Sequence, residues 1–408
     1  MVERHGRRPV RAPVTAAVAT ASLLALVACG EAPLLEELSP EQTCRRTLFA
    51  GPVGVPVELP EAAEAAEAAR ADAAADAESA TSFVVTDRTE AEWQAPRDGA
   101  ERHQLNAWCA AVGPAVFGGW ADPPPTRVDS IAIVSWNVHV GGGDLRGLVR
   151  DLREGVFTSG VPVEHFVLLL QEAYREDDSV PAFNPGLPLG SGVSLAPPMG
   201  ERRDIVADAE DLGLSLFYAP SMRNGEGRGT APEDRGNAIL ATLPLADPVA
   251  VELPLARQRR VVVSAAVPMG PVGPDGADPV RLQVSSVHLE NDASGLTRDE
   301  VARLRQAEAL IEGLPEAELA VAAGDINTWT RGRDEAAVRV LLEAFPDTPP
   351  FPEGHTYQRG FGFVRRYLDY VFYRLPDGGR ARTIRIPDPY ASDHFPLLGR
   401  IVLPPAGS

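Results

Sequence analysis

Residues 166–172, FVLLLQE, set five apolar residues directly before a glutamine and a glutamate. A continuous apolar run of this kind is typical of a strand that is buried on both faces of a sheet. We therefore predict a strand at Phe166–Gln171, with Glu172 directly after it. A buried carboxylate costs several kcal/mol unless it is paired or bound to a metal ion, so Glu172 is a candidate functional residue.

Short apolar or β-branched runs alternate with amphipathic stretches from Ser130 onwards. The other predicted strands are Ile131–Val138, Leu214–Tyr218, Ala238–Leu243, Val261–Val267, Leu282–His288, Leu319–Ala323, Leu368–Tyr373 and Leu397–Leu403. Helical apolar spacing predicts helices at Asp144–Leu152, Arg203–Glu210, Arg298–Glu312 and Glu335–Phe345. This order predicts an α/β fold in which outer helices cover two packed sheets.

Polar residues interrupt the apolar strands at or near their ends. The six clusters are Trp136-Asn137, Gln171-Glu172, His288-Leu289, Gly324-Asp325-Ile326-Asn327, Leu368-Asp369-Tyr370 and Ser392-Asp393-His394. One such cluster is usually a satisfied cap or turn. Six of them on successive strands are better explained by convergence on one site.

The order WN, QE, HL, GDxN, LDY and SDH, over residues 130–404, resembles the endonuclease/exonuclease/phosphatase superfamily. The resemblance implies a four-layer α/β/β/α sandwich of two packed, mainly antiparallel sheets with outer helices. It places the site at one edge of the two sheets. It also implies a divalent-metal-dependent hydrolase of phosphate esters that uses a histidine-activated water.

Three residues are expected to bind or support the metal ion. Glu172 is the expected main carboxylate ligand of Mg²⁺ (or Mn²⁺), because such ions take hard oxygen ligands and keep several waters. Asn137 is expected to orient that ion or a phosphate oxygen. Asp393 is expected to support the ion or the loop that carries His394.

Five other residues are expected to carry the chemistry. His394 is the candidate general base, because imidazole accepts a proton near neutral pH, and Asp369 is placed to orient it. His288 is expected to stabilise the phosphate or to protonate the leaving oxygen. Asp325 and Asn327 are expected to position the nucleophilic water and to contact the equatorial phosphate oxygens.

Two features bear on the substrate. Many nucleases of the superfamily have an acidic residue two positions after the asparagine of WN, where this chain has His139. This difference weakens the case for a two-metal site and for apurinic endonuclease activity. Arg235 and Asn237 are candidate phosphate contacts, and an ordinary turn into a strand is the alternative for that segment.

The charge of the chain narrows the substrate classes. It has 38 basic residues, all of them arginine, against 57 acidic ones, which gives a formal net charge of −19. This balance argues against a protein that coats nucleic acid through bulk charge. It does not exclude a local cleft in which a metal ion supplies the positive charge. We therefore rank a nuclease or general phosphodiesterase first, and a sphingomyelinase-like phospholipase C or a phosphomonoesterase second. A non-catalytic, tethered binding module is the remote alternative. We expect a monomer without an obligate protein partner.

The N-terminus is typical of a bacterial export signal. Residues 1–28 combine a basic start with the apolar run Val14–Ala28, which is short for a membrane span. The end of this run, Leu26–Gly30, resembles a lipobox and marks Cys29 as the lipidated residue. Beyond it we expect a tether and Ala/Glu-rich spacer at residues 29–80, a helical extension at 81–126 and the catalytic domain at 127–408.

Export also bears on the two remaining cysteines, Cys44 and Cys109. Disulfides persist outside the cytoplasm, so a bridge between these two is expected. Their separation of 65 positions would close a long loop, worth about 4 kcal/mol in the chain-entropy model.

Lipidation of Cys29 predicts that the exported protein is anchored to a bacterial membrane and faces the periplasm or the cell exterior. Glu31 is not the aspartate that retains lipoproteins at the inner membrane of enteric bacteria, which favours the outer membrane. A Cys29→Ala variant should therefore leave the membrane fraction on cell fractionation. A variant that stays membrane-bound would contradict the anchor.

Overall fold

The computed structural model describes residues 33–51, 90–181, 201–224, 232–271, 279–291, 297–360 and 362–405. The predicted signal peptide, Cys29 and the Ala/Glu-rich spacer lie outside these residues. No helix among the described residues is long and apolar enough to cross a membrane.

Two β-sheets form the centre of the molecule. Along the first sheet the strands are β1 (Leu35–Leu38), β3 (Glu92–Pro96), β9 (Ala246–Glu252), β10 (Val261–Pro268), β11 (Arg281–His288), β12 (Ala320–Asp325) and β15 (Asp369–Arg374). Along the second they are β16 (Arg380–Arg385), β17 (Leu397–Val402), β5 (Ser130–Asn137), β6 (Phe166–Glu176), β8 (Glu233–Ala241), β7 (Ser215–Arg223), β4 (Ala115–Gly118) and β2 (Thr47–Ala50). A short hairpin of β13 (Tyr357–Arg359) and β14 (Val364–Arg366) stands apart from both sheets.

Helices cover the outer face of each sheet. Against the second sheet pack α2 (Leu145–Arg153) and α3 (Ile205–Leu212), and against the first pack α4 (Thr297–Gly313) and α5 (Ala336–Ala344). The remaining helix, α1 (Gly99–Cys109), precedes them in the chain. The helices α1, α2 and α3 each begin at an aspartate, Asp98, Asp144 and Asp204, whose side chain accepts a hydrogen bond from a backbone N–H of the first turn.

The continuous apolar runs of the sequence have a simple structural reason. In β6, Val167 and Leu169 face the core between the sheets, while Phe166, Leu168 and Leu170 face the core under the outer helices. Since side chains alternate along a strand, a strand between two cores needs apolar residues at every position. Each fully buried side chain contributes about 1.5–3 kcal/mol. The predicted four-layer α/β/β/α sandwich is confirmed.

The N-terminal segments differ from the prediction of a tether and a helical extension. Each segment contributes to both sheets: β1 and β3 extend the first sheet beyond β9, and β2 and β4 extend the second beyond β7. Trp93 of β3 is buried in the core between the sheets. These strands are only four or five residues long, too short for a periodic signal to separate them from loops. The described residues from Pro33 to Pro405 accordingly belong to one compact unit, and no boundary near residue 126 divides them.

The two cysteines lie on these added elements. The structure joins Cys44, in the 3₁₀ turn Thr43–Arg45, to Cys109 at the end of α1, with their Cα atoms 5.4 Å apart. Both are buried against Val112. Cys44 therefore lies in a folded turn and not in the tether that the sequence suggested.

Candidate functional site

Three of the polar clusters meet because of strand register. His288 ends β11 and pairs with Asp325 at the end of the parallel strand β12. Asp325 in turn pairs with Asp369 at the start of the antiparallel strand β15. The backbone of the first sheet thus brings one histidine and two aspartates side by side at one edge.

Asp325 is the residue that links the two sheets at this edge. Its Oδ2 accepts a hydrogen bond from Nδ2 of Asn137, which ends β5 of the second sheet, at 3.2 Å. The same oxygen lies 3.6 Å from Nε2 of His288 and 3.8 Å from Nε2 of His394. Three other predicted site residues therefore surround a single carboxylate oxygen of Asp325.

His394 is fixed by its neighbours. Its Nδ1 lies 2.9 and 3.1 Å from the two carboxylate oxygens of Asp369, and both residues are buried. Trp136 Nε1 donates to the His394 carbonyl at 3.1 Å, and the His394 N–H donates to Ser392 Oγ at 3.1 Å. The pairing through Nδ1 leaves Nε2 to face Asp325, which is the orientation that a general base requires.

The two histidines differ in charge. Burial opposes the imidazolium of His394, but Asp369, Asp325 and Asp393 outweigh it and raise its pKa to about 10. Burial keeps the pKa of His288 well below its usual value, and the nearby cations Arg260 and His394 add to this effect. Burial raises the pKa of Asp325 to about 7 against the opposing effect of His394, with a smaller contribution from the nearby Asp369. At neutral pH one histidine is thus protonated and the other is neutral.

The raised pKa of His394 predicts a pH-dependent stability. An unfolded imidazole has a pKa near 6.5, so the stabilising contribution is complete below pH 6.5 and is lost as the pH rises through about 10. The chain has no lysine, and all seven tyrosines have raised pKa values, so few other groups titrate in that range. In EDTA, the urea midpoint of unfolding should fall between pH 7 and pH 10. The fall should be much smaller in His394→Gln, and an equal fall in both proteins would contradict the assignment.

Glu172 does not lie after a strand, as the sequence suggested, but inside one. Strand β6 continues to Glu176, and its register with β8 shifts between Leu170 and Ala173. At this β-bulge Glu172 has a φ of 55°, in the left-handed region that side chains rarely adopt. The preceding Gln171 is buried and donates to Ser286 Oγ at 3.1 Å. The bulge is the physical reason why a strand-interior glutamate can leave the alternating pattern of the core.

The carboxylate of Glu172 is ionised and accepts no hydrogen bond from a described side chain. Burial would raise its pKa, but Arg235, His139, Arg260 and His394 together hold the pKa below its usual value. Within the part of the chain that the structure describes, no side chain donates a hydrogen bond to its oxygens. Such an oxygen donor fits the ligand chemistry of Mg²⁺ or Mn²⁺, and so does the amide oxygen of Asn137, whose backbone pairs with Gln171 directly before Glu172.

A second group of donors also suits a metal ion. Ligand atoms of Asp325, Asp369 and His394 all lie within 4.8 Å of one another. Asp369 and His394, however, already bind each other. The predicted ligand Asp393 lies near Nε2 of His394, the ring nitrogen that also faces Asp325, with its Oδ1 at 4.0 Å from this nitrogen and 3.7 Å from Nδ1 of His139. His139 therefore contacts the predicted ligand Asp393.

The two asparagines outside the WN motif have mainly structural partners. Asn327 Nδ2 donates to the Leu289 carbonyl at 3.1 Å and its N–H donates to Asp325 Oδ1 at 3.0 Å, so this residue holds the Asp325 loop. The prediction that Asn237 contacts the phosphate is wrong. Asn237 is buried, and its Nδ2 donates to the carbonyls of Val261 and Ser286 at 2.9 and 3.1 Å, which fastens the second sheet to the first. Both of its amide hydrogens are used.

Two arginines lie near Glu172. Arg235, predicted from the sequence, donates to Asn224 Oδ1 at 3.1 Å. Arg260, which the sequence reasoning missed, has only 4% of its surface exposed. Its buried Nε has no hydrogen-bond partner among the described residues. A buried guanidinium without an acceptor is expected to bind an anion. The signal in the sequence was the pair Arg259-Arg260 directly before an apolar strand.

A model of the endonuclease/exonuclease/phosphatase family matches residues 134–394. Similar solved structures include an endonuclease/exonuclease/phosphatase from Beutenbergia cavernae DSM 12333, with 16% identity, a TM-score of 0.45 and coverage of 68% of this chain and 72% of that one. Sphingomyelinase C from Streptomyces griseocarneus has 17% identity, a TM-score of 0.41 and coverage of 66% and 99%, respectively. AP endonuclease LMAP from Leishmania major has 15% identity, a TM-score of 0.40 and coverage of 76% and 100%. No curated protein matches the chain.

The family match covers well over half of the 408 residues and contains all eight predicted metal-binding and catalytic residues. Members of this family act as phosphoesterases, among them nucleases, phosphatases and sphingomyelinases. The chain belongs to the endonuclease/exonuclease/phosphatase family.

Proposed function

We propose that this protein is a divalent-metal-dependent hydrolase of phosphodiesters, either a nuclease or a more general phosphodiesterase. One observation carries the proposal: the buried His394–Asp369 pair, at 2.9 Å, faces the same site edge as the ionised Glu172 carboxylate. A positioned base and an open oxygen ligand are the two parts that metal-assisted hydrolysis of a phosphate ester needs.

The protein's own residues would divide the work as follows. His394, through Nε2, takes a proton from the attacking water, and Asp369 stabilises the imidazolium that forms. The raised pKa of His394 makes its neutral form a stronger base, although a smaller fraction is neutral at pH 7. Asp325 and Asn327 hold the water and its surroundings in place. His288 contacts the phosphate or the leaving oxygen.

The negative charge of the phosphate would be neutralised by two arginines and by a metal ion. Arg235 and Arg260 provide guanidinium donors for the phosphate oxygens. A divalent ion held by Glu172 and Asn137, with support from Asp393, would polarise the phosphoryl group. Since the chain has no lysine, every fixed cation available to the phosphate is an arginine or a histidine.

A second candidate function, a phospholipase C acting on sphingomyelin-like lipids, is favoured by the β13–β14 hairpin. Phe363 near its tip is 92% exposed, and Arg359, Arg365 and Arg366 beside it are exposed as well. An apolar side chain flanked by arginines suits the interface of a lipid bilayer. The hairpin also adjoins the site, because Tyr357 forms a bridge to His394 with their rings 4.9 Å apart.

One substrate panel tests both candidates. The full chain in detergent would be assayed with Mg²⁺, with Mn²⁺ and with EDTA on plasmid DNA, bis-(4-nitrophenyl) phosphate and sphingomyelin in mixed micelles. The proposal expects metal-dependent hydrolysis of the first two. Faster hydrolysis of the lipid, lowered by Phe363→Ala without a change on bis-(4-nitrophenyl) phosphate, would favour the second candidate. No metal-dependent hydrolysis of any of the three would overturn the phosphodiesterase proposal.

A further inference from the structure

The connection from β9 to β10 carries Arg260 into the site, and its neighbour Arg259 is fully buried. Arg259 binds Glu252 Oε1 through Nη2 at 2.6 Å and through Nε at 3.1 Å. Its Nη1 donates to the Pro220 carbonyl at 2.7 Å. The position of Arg260 therefore depends on what holds Arg259 and Glu252.

The N-terminal segment supplies the second partner of Glu252. Arg45 Nη2 binds Glu252 Oε2 at 2.8 Å and Asn106 Oδ1 of α1 at 3.0 Å. Cys44 Sγ lies 3.4 Å from Nη2 of Arg259. A buried carboxylate between two guanidinium groups is fully compensated only when both are in place.

The same segment holds the middle of the connection. Glu101 of α1 accepts a hydrogen bond from the Leu255 N–H and binds Arg305 at 2.9 Å. The disulfide joins the turn that carries Arg45 to the end of α1. We call Cys44, Arg45, Glu101 and Cys109 the N-terminal clamp.

Arg235, the second arginine near Glu172, has a neighbour fixed in a similar way. Asp234 accepts a hydrogen bond from the Gly113 N–H at 2.9 Å and from Arg175 Nε at 3.0 Å. Arg175 in turn donates to the Pro114 carbonyl at 2.8 Å. Residues just after α1 thus support Arg235 as the clamp supports Arg260.

We propose that the N-terminal clamp is a positioning device for phosphate binding, which holds Arg260 where it can bind a phosphate oxygen. This inference rests on the proposed function. All four clamp residues lie outside residues 134–394, the part of the chain that matches the family. An arginine misplaced by about 1 Å can cost on the order of 100-fold in rate, so a remote contact can act on catalysis.

A double-mutant cycle of Arg45→Met and Arg260→Met tests the clamp. In the otherwise unchanged protein, Arg45→Met should lower kcat/KM for bis-(4-nitrophenyl) phosphate on the order of 10- to 100-fold, mainly through a higher KM. In the Arg260→Met protein it should have almost no further effect, because the residue that it positions is gone. Its effect on Tm should be the same in both backgrounds. Affinity for inorganic phosphate, measured by calorimetry, should weaken in parallel with the loss in kcat/KM.

A purely structural role predicts a different result. Arg45→Met would then lower activity by the same factor in both backgrounds, and this outcome would overturn the inference. Val338→Ala, a core substitution in α5, is the matched control that should lower Tm and leave kcat/KM unchanged. If Arg45→Met does not fold, Glu101→Ala takes its place with the same expectations. Loss of activity in Glu172→Ala identifies the proposed function independently, so the clamp can fail while the phosphodiesterase assignment stands.

Discussion

Glu172→Ala should lower kcat/KM for a phosphodiester on the order of 10³-fold, although the variant folds normally. Glu172 is partly buried, and its oxygens accept no hydrogen bond from a described side chain. They are therefore available to the metal ion, and the alanine variant loses this negative ligand. Glu172→Gln should be nearly as inactive as the alanine variant, because it keeps the size and removes the charge. The loss should equal that caused by EDTA in the unchanged protein, since both remove the same interaction.

The measurement is a steady-state rate on bis-(4-nitrophenyl) phosphate over a series of Mg²⁺ concentrations. Glu176→Ala, at the exposed end of the same strand, is the matched control and should stay active. Full activity of Glu172→Ala, or of the unchanged protein in excess EDTA, would exclude the metal-dependent mechanism.

His394→Ala should lower the rate about 10²- to 10⁴-fold, the usual effect of removing a general base. Adding Asp369→Ala should then cost little more, because the carboxylate binds Nδ1 of an imidazole that is no longer present. Residues that act as one unit are grossly non-additive in this way. His288→Ala should combine with His394→Ala more nearly multiplicatively, because we expect His288 to act on another side of the phosphate.

The test compares the rates of the single variants and of the two double variants on one phosphodiester, with circular dichroism as the check on folding. Multiplicative effects of Asp369→Ala and His394→Ala would mean that the two do not act as a pair. The family assignment would remain even then, since it does not depend on this pairing.

The sequence predicted the sandwich and most of the site for a physical reason. Strands buried between two cores leave continuous apolar runs, and polar residues at their ends are then easy to see. Register does the rest: once β11, β12 and β15 are neighbours, His288, Asp325 and Asp369 must meet. Local sequence patterns were therefore enough to predict the site residues that the first sheet supplies.

The sequence could not predict features that depend on contacts between distant segments. The bulge at Glu172 arises from pairing with β8 and leaves no periodic mark of its own. Asn237 resembled a phosphate contact, and only the approach of the first sheet shows that its amide is used. Arg260 is one arginine among 38, and it stands out only because folding buries its Nε without a hydrogen-bond partner among the described residues.

The short N-terminal strands also bear on solubility. Strands β3 and β4 cover the edges of β9 and β7, whose residues are almost all buried. A chain shortened to the family-matching residues would present both edges with unpaired N–H and C=O groups beside apolar side chains. Such edges are templates for pairing with other chains, so the shortened protein would tend to aggregate at concentrations where the full chain stays dispersed. An expression trial that trims the chain to its recognisable domain would remove the protection against self-association together with the clamp.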